Sequence, residues 1–166
     1  VNILLKKTHE RHQLLFSSRL PNVLGEKIKV AIDLMGDISS PQSWDIQSYF
    51  ESKSLNLAPL QKYISNKNIK VVDGVADLKL WLYWKNESVQ QLSGDIDFNN
   101  LKYRLNKNKT VTLKHVSGIF DGHLSDSDLW NISVERFGYE SDATALSNAG
   151  FSLALNYSNE EIKSFY

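Results

Sequence analysis

Ala76-Asp77-Leu78-Lys79-Leu80-Trp81-Leu82-Tyr83-Trp84 places an apolar side chain at every even position and mostly polar or amphipathic ones at the odd positions, with Lys85 closing the run. A strand turns alternate side chains to opposite faces, so this segment predicts a sheet with one apolar and one wet face. The turn Asn86-Glu87-Ser88 follows, and Val89 to Phe98 resumes the pattern with Leu92, Gly94, Ile96 and Phe98 set against Ser93, Asp95 and Asp97. Two such runs across a short turn read as an antiparallel hairpin. The same one-sided alternation recurs elsewhere. Ile28, Val30, Ile32 and Leu34 oppose Lys27, Lys29 and Asp33; Trp44, Ile46 and Phe50 oppose Asp45, Gln47 and Glu51; Phe151, Leu153 and Leu155 behave likewise.

Extended along the chain, this pattern predicts strands at Asn2 to Thr8, Arg11 to Leu20, Glu26 to Met35, Trp44 to Ser54, Val71 to Lys85, Val89 to Phe98, Leu101 to Leu105, Thr110 to Leu124, Leu129 to Tyr139 and Gly150 to Tyr157. Turn residues separate them at His9-Glu10, at Gly36-Asp37 running to Pro41, at Asn99-Asn100, from Asn106 to Lys109 and from Ser125 to Asp128. One helix is expected at Leu57 to Ser65, capped by Asn56 and started by Pro59, with Leu57, Leu60, Tyr63 and Ile64 on one stripe. A second short helix is expected around Ser158 to Glu161. Leu20 to Gly25 reads as an apolar connector, and Ser141 to Asn148 as an irregular loop. The fold class is therefore mainly β, an antiparallel meander forming a curved, groove-like sheet with one or two short helices.

At 166 residues, 42% of them hydrophobic and 23% charged, the chain suits a single β-rich domain spanning residues 1–166. Nineteen basic residues balance nineteen acidic ones, so no net field draws it to nucleic acid. With no cysteine there is no disulfide framework and no thiolate metal site. No run reaches the roughly 20 apolar residues that cross a bilayer, and Val1 to Lys7 lacks the order of a signal peptide. Beginning at Val1 and ending at Phe165-Tyr166, the chain reads as a repeat region excised from something longer.

The order of these segments resembles a known family. Leu20-Pro21-Asn22-Val23-Leu24-Gly25 into an amphipathic strand, then Ser40-Pro41-Gln42-Ser43-Trp44, then Leu55-Asn56-Leu57-Ala58-Pro59-Leu60, is similar to the repeating region of the large bacterial AsmA-like proteins of the YhdP type. So is Asp73-Gly74-Val75-Ala76-Asp77-Leu78-Lys79-Leu80-Trp81-Leu82-Tyr83-Trp84 followed by Leu92 to Leu101, a Gly-x-Ala-x-Leu-x-Leu-Trp strand and a strand ending in Asn-Leu. The likeness runs from about Arg11 to Tyr157. It implies a periplasmic body anchored in the inner membrane by a helix outside this chain. It also implies curved repeats lining a hydrophobic groove that passes phospholipid toward the outer membrane. On that implication the groove lining is Ile28, Val30, Ile32 and Leu34, then Leu78, Leu80, Leu82 and Trp84, then Leu92, Ile96 and Phe98.

Sharper chemistry finds little footing. The four histidines, His9, His12, His115 and His123, are not spaced with one another or with acids as a zinc or iron site requires. Asp121, Asp126 and Asp128 lack the calcium-loop pattern and read as a solvated hairpin end. Asp95 and Asp97 share the polar side of a regular strand, which makes them solubility charges before a catalytic pair. Ser93-Gly94 and Ser117-Gly118 lack a nucleophile elbow. Neither an enzyme nor a cofactor is expected.

A twisted sheet of about ten strands must close, split into a sandwich, or cover its apolar face with something else, and one short helix is too small a cover. Two readings follow. In the first the apolar face is a lipid groove, with Trp44, Trp84 and Trp130 in its wall at headgroup level, where aromatics with a polar edge are favoured. In the second the chain is a closed β-sandwich that binds protein or carbohydrate. There Trp81 and Tyr83, standing on the otherwise polar face, form the contact surface instead of packing beneath the helix or against a neighbouring strand. The resemblance favours the first. Either way, a terminal strand near Asn2 to Thr8 or Gly150 to Tyr157 is expected to present a bare edge through which copies associate.

Overall fold

The computed structural model describes residues 1–63, 69–105, 109–125, 129–158 and 161–162. Strands β1 (Asn2–Thr8), β2 (Arg11–Arg19), β3 (Lys27–Met35), β4 (Asp45–Asn56), β5 (Ile69–Lys85), β6 (Ser88–Leu105), β7 (Lys109–Leu124), β8 (Leu129–Glu140), β9 (Ala145–Ser158) and β10 (Glu161–Ile162) follow one another in space in the order of the chain. Every pairing is antiparallel. The result is one meander sheet, and it does not close on itself. Side chains lean on their sheet neighbours, and a short 3-10 helix at Ala58–Tyr63 rests on β5. No second sheet faces the first among the described residues, so the sealed core that a closed sandwich requires is not found.

Burial reports the same geometry. Among the described residues only Leu55 and Ala76 are buried apolar side chains, and no large side chain is fully enclosed. They meet because β4 bulges between Ser52 and Leu55, with Ser54 at a φ of 52°. An inserted residue reverses the alternation beyond it. Leu55, an odd-numbered residue, therefore arrives opposite Ala76 on the face that Ile46, Ser48, Phe50 and Ser52 share. The Leu20–Gly25 connector lies over this spot, the Asn56 amide donating to the Leu24 carbonyl at 3.0 Å and the Asn56 side chain to the Val23 carbonyl at 3.1 Å.

Several expected boundaries shift. The helix expected from Leu57 to Ser65 is a 3-10 helix at Ala58–Tyr63; Leu60 bonds back three residues to Leu57, and Asn56 caps the turn by accepting from the Ala58 amide at 3.2 Å. Ile64 and Ser65 lie outside the described residues. The helix expected around Ser158 is instead the end of β9, onto which Glu161–Ile162 pairs. Asn99-Asn100 does not end a strand: β6 runs through it, Asn100 taking a φ of 52° where the β5 register shifts around Gly74. The loop expected from Ser141 to Asn148 is shorter, a turn closed by the Ser141 amide on the Thr144 carbonyl, after which β9 begins.

Gly25 holds the connector in place. Its φ is 136°, and a Cβ there would stand 2.6 Å from the Ser54 carbonyl oxygen, which is backbone and cannot swing aside. Gly25→Ala is expected to cost about 2 to 3 kcal/mol in urea unfolding. Gly150→Ala, whose Cβ would find its nearest neighbour at 3.5 Å, serves as the control and is expected to melt like the parent. Equal midpoints for the two variants would show that the connector does not clamp the Leu55 end.

Candidate functional site

The register brings the apolar positions of separate strands into rows. One row runs Ile3, Phe16, Val30, Phe50, Leu80, Gly94, Phe120, Val134, Phe151, each directly opposite the next across β1 to β9. A second runs Leu5, Leu14, Ile32, Ser48, Leu82, Leu92, Gly122, Ile132, Leu153. Eight steps at about 4.8 Å make each row about 38 Å long. Gly94 makes room in the first: a Cβ there would come within 2.6 Å of the Phe120 ring and 2.8 Å of Leu80 Cδ2, so those side chains would have to shift.

All eleven side chains expected to line a groove stand on this face. Ile28, Val30, Ile32 and Leu34 meet Leu78, Leu80, Leu82 and Trp84 through the intervening β4, while Ile96 and Leu92 lie opposite Leu78 and Leu82, and Phe98 opposite Ala76. Each is half-buried, covered by lateral neighbours and open above. The sequence reading left out Phe120, Ile132 and Val134, and the β1–β2 residues Ile3, Leu5, Leu14 and Phe16. Val116-x-Gly118-x-Phe120-x-Gly122-x-Leu124 was the available signal, an alternation with glycine standing in for an apolar side chain.

Three of the four tryptophans gather at one end of the sheet. Trp84 closes β5 opposite Ile46, Trp130 opens β8 opposite Leu124 and Leu155, and Trp44 precedes β4, its Nε1 donating to the Asp37 carbonyl at 2.9 Å. The opposite end of β4 and β5 is the one roofed by the connector and the Ala58–Tyr63 turn.

The other face is charged. Arg11 pairs with Asp33, which also accepts from Gln13 at 3.0 Å; Lys29 pairs with Glu51 at 2.7 Å; Lys79 and Asp95 stand 3.6 Å apart. Asp97 faces His115 at 3.1 Å, so the two neighbouring aspartates are engaged across strands. Trp81 packs on Tyr49 of the neighbouring strand, ring centroids 5.1 Å apart, and remains 45% exposed. Tyr83 donates its hydroxyl to Asp45 at 3.1 Å. Leu4, Leu15, Ala31, Tyr49 and Trp81 lie directly opposite one another in turn, an apolar row crossing an otherwise polar face. It borders a hollow of about 310 Å³.

Among the described residues no three acids or histidines converge as metal ligands, and no helix is long and apolar enough to cross a membrane. No family model, curated protein or solved structure matches the chain.

The charged face carries a pH dependence. The hydrogen bond from Arg11 holds the Asp33 carboxyl below its ordinary value, and those from Lys29 and Tyr49 do the same for Glu51. Stability from a depressed carboxylate is complete above its ordinary value of about 4 and is lost as pH falls through the lower folded value. Melting temperature is therefore expected to drop below about pH 4 less steeply in the double variant Asp33→Asn, Glu51→Gln than in the parent. Parallel curves would show that these pairs add nothing.

Proposed function

We propose that this chain is a lipid-handling segment of an AsmA-like envelope protein of the YhdP type, its apolar face forming the floor of a groove for phospholipid acyl chains. In this reading it works in the periplasm, as part of a protein anchored in the inner membrane, along a route between inner and outer membranes. The observation that carries the reading is the continuous, unroofed apolar face. Two rows about 7 Å apart cross β1 to β9, each about 38 Å long, and two shorter rows, one of Ile28, Ser52, Leu78 and Ile96 and one of Leu34, Ile46 and Trp84, flank them in the middle of the sheet. Such a face needs a cover.

Acyl chains suit the space. Half a bilayer's hydrocarbon core is about 15 Å deep, so two neighbouring rows about 38 Å long are long enough for the acyl chains of a phospholipid laid along them. Its floor offers few polar side chains, Ser48 and Ser52 among them, which fits a ligand that needs dispersion contact more than hydrogen bonds. Trp84 and Trp130 widen the apolar floor at one end, where the Trp84 Nε1 is buried without a hydrogen-bond partner among the described residues. The order of motifs shared with the AsmA-like repeats points the same way.

The test is native mass spectrometry of gently extracted protein, expected to show bound phospholipid. Leu80 stands mid-row between Phe50 and Gly94. Leu80→Asp is expected to abolish lipid pickup while leaving the β-sheet circular dichroism in place, because an aspartate on an open face keeps its water. In a sealed core the same charge would cost several kcal/mol and unfold the domain. A lipid-free parent, or a grossly unfolded Leu80→Asp, overturns the groove.

A further inference from the structure

We infer that the charged face carries a second site, a shallow saccharide seat over Ala31 in which the Trp81 ring stacks on a neutral hexopyranose while Gln13, Asp33 and Gln47 bond its hydroxyls. The seat follows from register. Leu15, Ala31, Tyr49 and Trp81 lie directly opposite one another across β2 to β5, and Ala31 puts a methyl group where its neighbours carry long side chains. The row therefore dips at β3, and the dip belongs to the hollow of about 310 Å³. β1 adds Leu4 and Lys6 at the far rim, while the floor and the aromatic wall come from β2 to β5.

Two residues along the strands, a polar row runs beside the apolar one. Gln13, Asp33 and Gln47 are directly opposite one another in turn, about 7 Å from Leu15, Ala31 and Tyr49. The Gln13 side chain donates to Asp33 at 3.0 Å, which leaves its carbonyl oxygen to accept. Gln47 is exposed, and its side chain has no hydrogen-bond partner among the described residues. Amide donors, amide oxygens and a carboxylate in one row suit hydroxyl groups, which both donate and accept.

The aromatic wall is held in place. Tyr49 donates its hydroxyl to Glu51 at 2.9 Å, and Glu51 also accepts from Lys29 at 2.7 Å. Trp81 lies against that anchored ring with the planes tilted 43°, and 45% of it stays open. A pyranose carries C–H groups on its flat side and hydroxyls around its rim. The C–H groups suit the electron-rich face of an indole, and the rim suits the polar row.

Other occupants fit less well. Asp33 and Glu51 are already matched by Arg11 and Lys29, so no bare charge at the centre of the seat asks for an ionic ligand. From Leu15 to Trp81 is three strand spacings, about 14 Å, and the row is one side chain wide, far short of the roughly 800 Å² per partner of a stable protein interface. That length takes two or three pyranose rings, each about as wide as the strand spacing of about 4.8 Å. The hollow also lies at the small end of the range of about 300 to 1,000 Å³ that ligand sites occupy.

Isothermal titration calorimetry with chitotetraose and cellotetraose, two neutral oligosaccharides with flat, extended chains, is expected to give a Kd below about 1 mM for at least one of them. Trp81→Leu, which keeps apolar bulk and removes the ring, is expected to weaken binding about tenfold, and Trp81→Phe, which keeps a ring, to recover most of that loss. Gln47→Leu changes an exposed side chain with no partner to lose; it is expected to weaken binding about fivefold at an unchanged melting temperature, and it tests the seat even if a change at Trp81 disturbs the sheet. A parent that ignores both sugars up to about 10 mM, or a Trp81→Leu variant that binds as tightly as Trp81→Phe, overturns the seat. The groove lies on the opposite face, so bound phospholipid neither supports the seat nor sinks it.

Discussion

A strand shows the same face every second residue, and the whole of this molecule depends on keeping that count in step across nine strands. A slip of one residue in any pairing would turn that strand's apolar set outward and cut the face in two. Where the sequence itself falls out of step, the backbone compensates. Leu55, Phe137, Tyr139 and Leu146 are out of phase with the apolar residues earlier or later on their own strands. Register shifts lie between each of them and those residues. Ser54, Arg136 and Asn148 take positive φ at those places, at 52°, 51° and 57°. Each inserted residue costs local ladder bonds and returns an apolar side chain to the common face.

A single layer gives up what a sandwich gains. With Leu55 and Ala76 as the only buried apolar side chains among the described residues, stability comes from backbone ladders and from side chains leaning on lateral neighbours. The cross-strand ion pairs on the charged face add little individually, since both partners stay partly in water. A slip in β3–β4 would separate Lys29 from Glu51, but the register also sets Lys27 opposite Lys53 and Asp77 opposite Asp97, so charge pairing does not decide it. The apolar rows fix the register, and the charged face follows it. The roof at the Leu55 end closes only a corner.

This explains what the sequence let one read. The long hairpin was legible because Leu78, Leu80 and Leu82 alternate without a break, and the shared face of the eleven residues follows from the same alternation in each strand. Phe120 was harder, since Gly118 and Gly122 replace the apolar neighbours that would have declared the pattern. Phe137 and Tyr139 were hidden by the bulge before them, for parity read from numbers fails once a residue is inserted. The helix at Leu57 is 3-10 over Ala58–Tyr63, and its stripe of Leu57, Leu60 and Tyr63 fits three residues per turn as well as 3.6. Openness was the least legible property, because half-buried and fully buried leucines alternate identically along a strand.

An open sheet carries two exposures, its face and its edges, and this chain treats its two edges differently. β9 is irregular against β8 up to Ala149 and regular from Phe151 to Asn156, and β10 pairs with Tyr157 and Ser158. At β1 the ladder is regular and its apolar residues sit at both levels. An unguarded edge is ordinarily a liability. Any strand that pairs at β1 with matching alternation extends the face as it covers the edge. The period that sets the interior of the sheet thereby sets what can be added to it: a strand whose parity matches Ile3 and Leu5, and whose charges avoid Lys6 and Lys7.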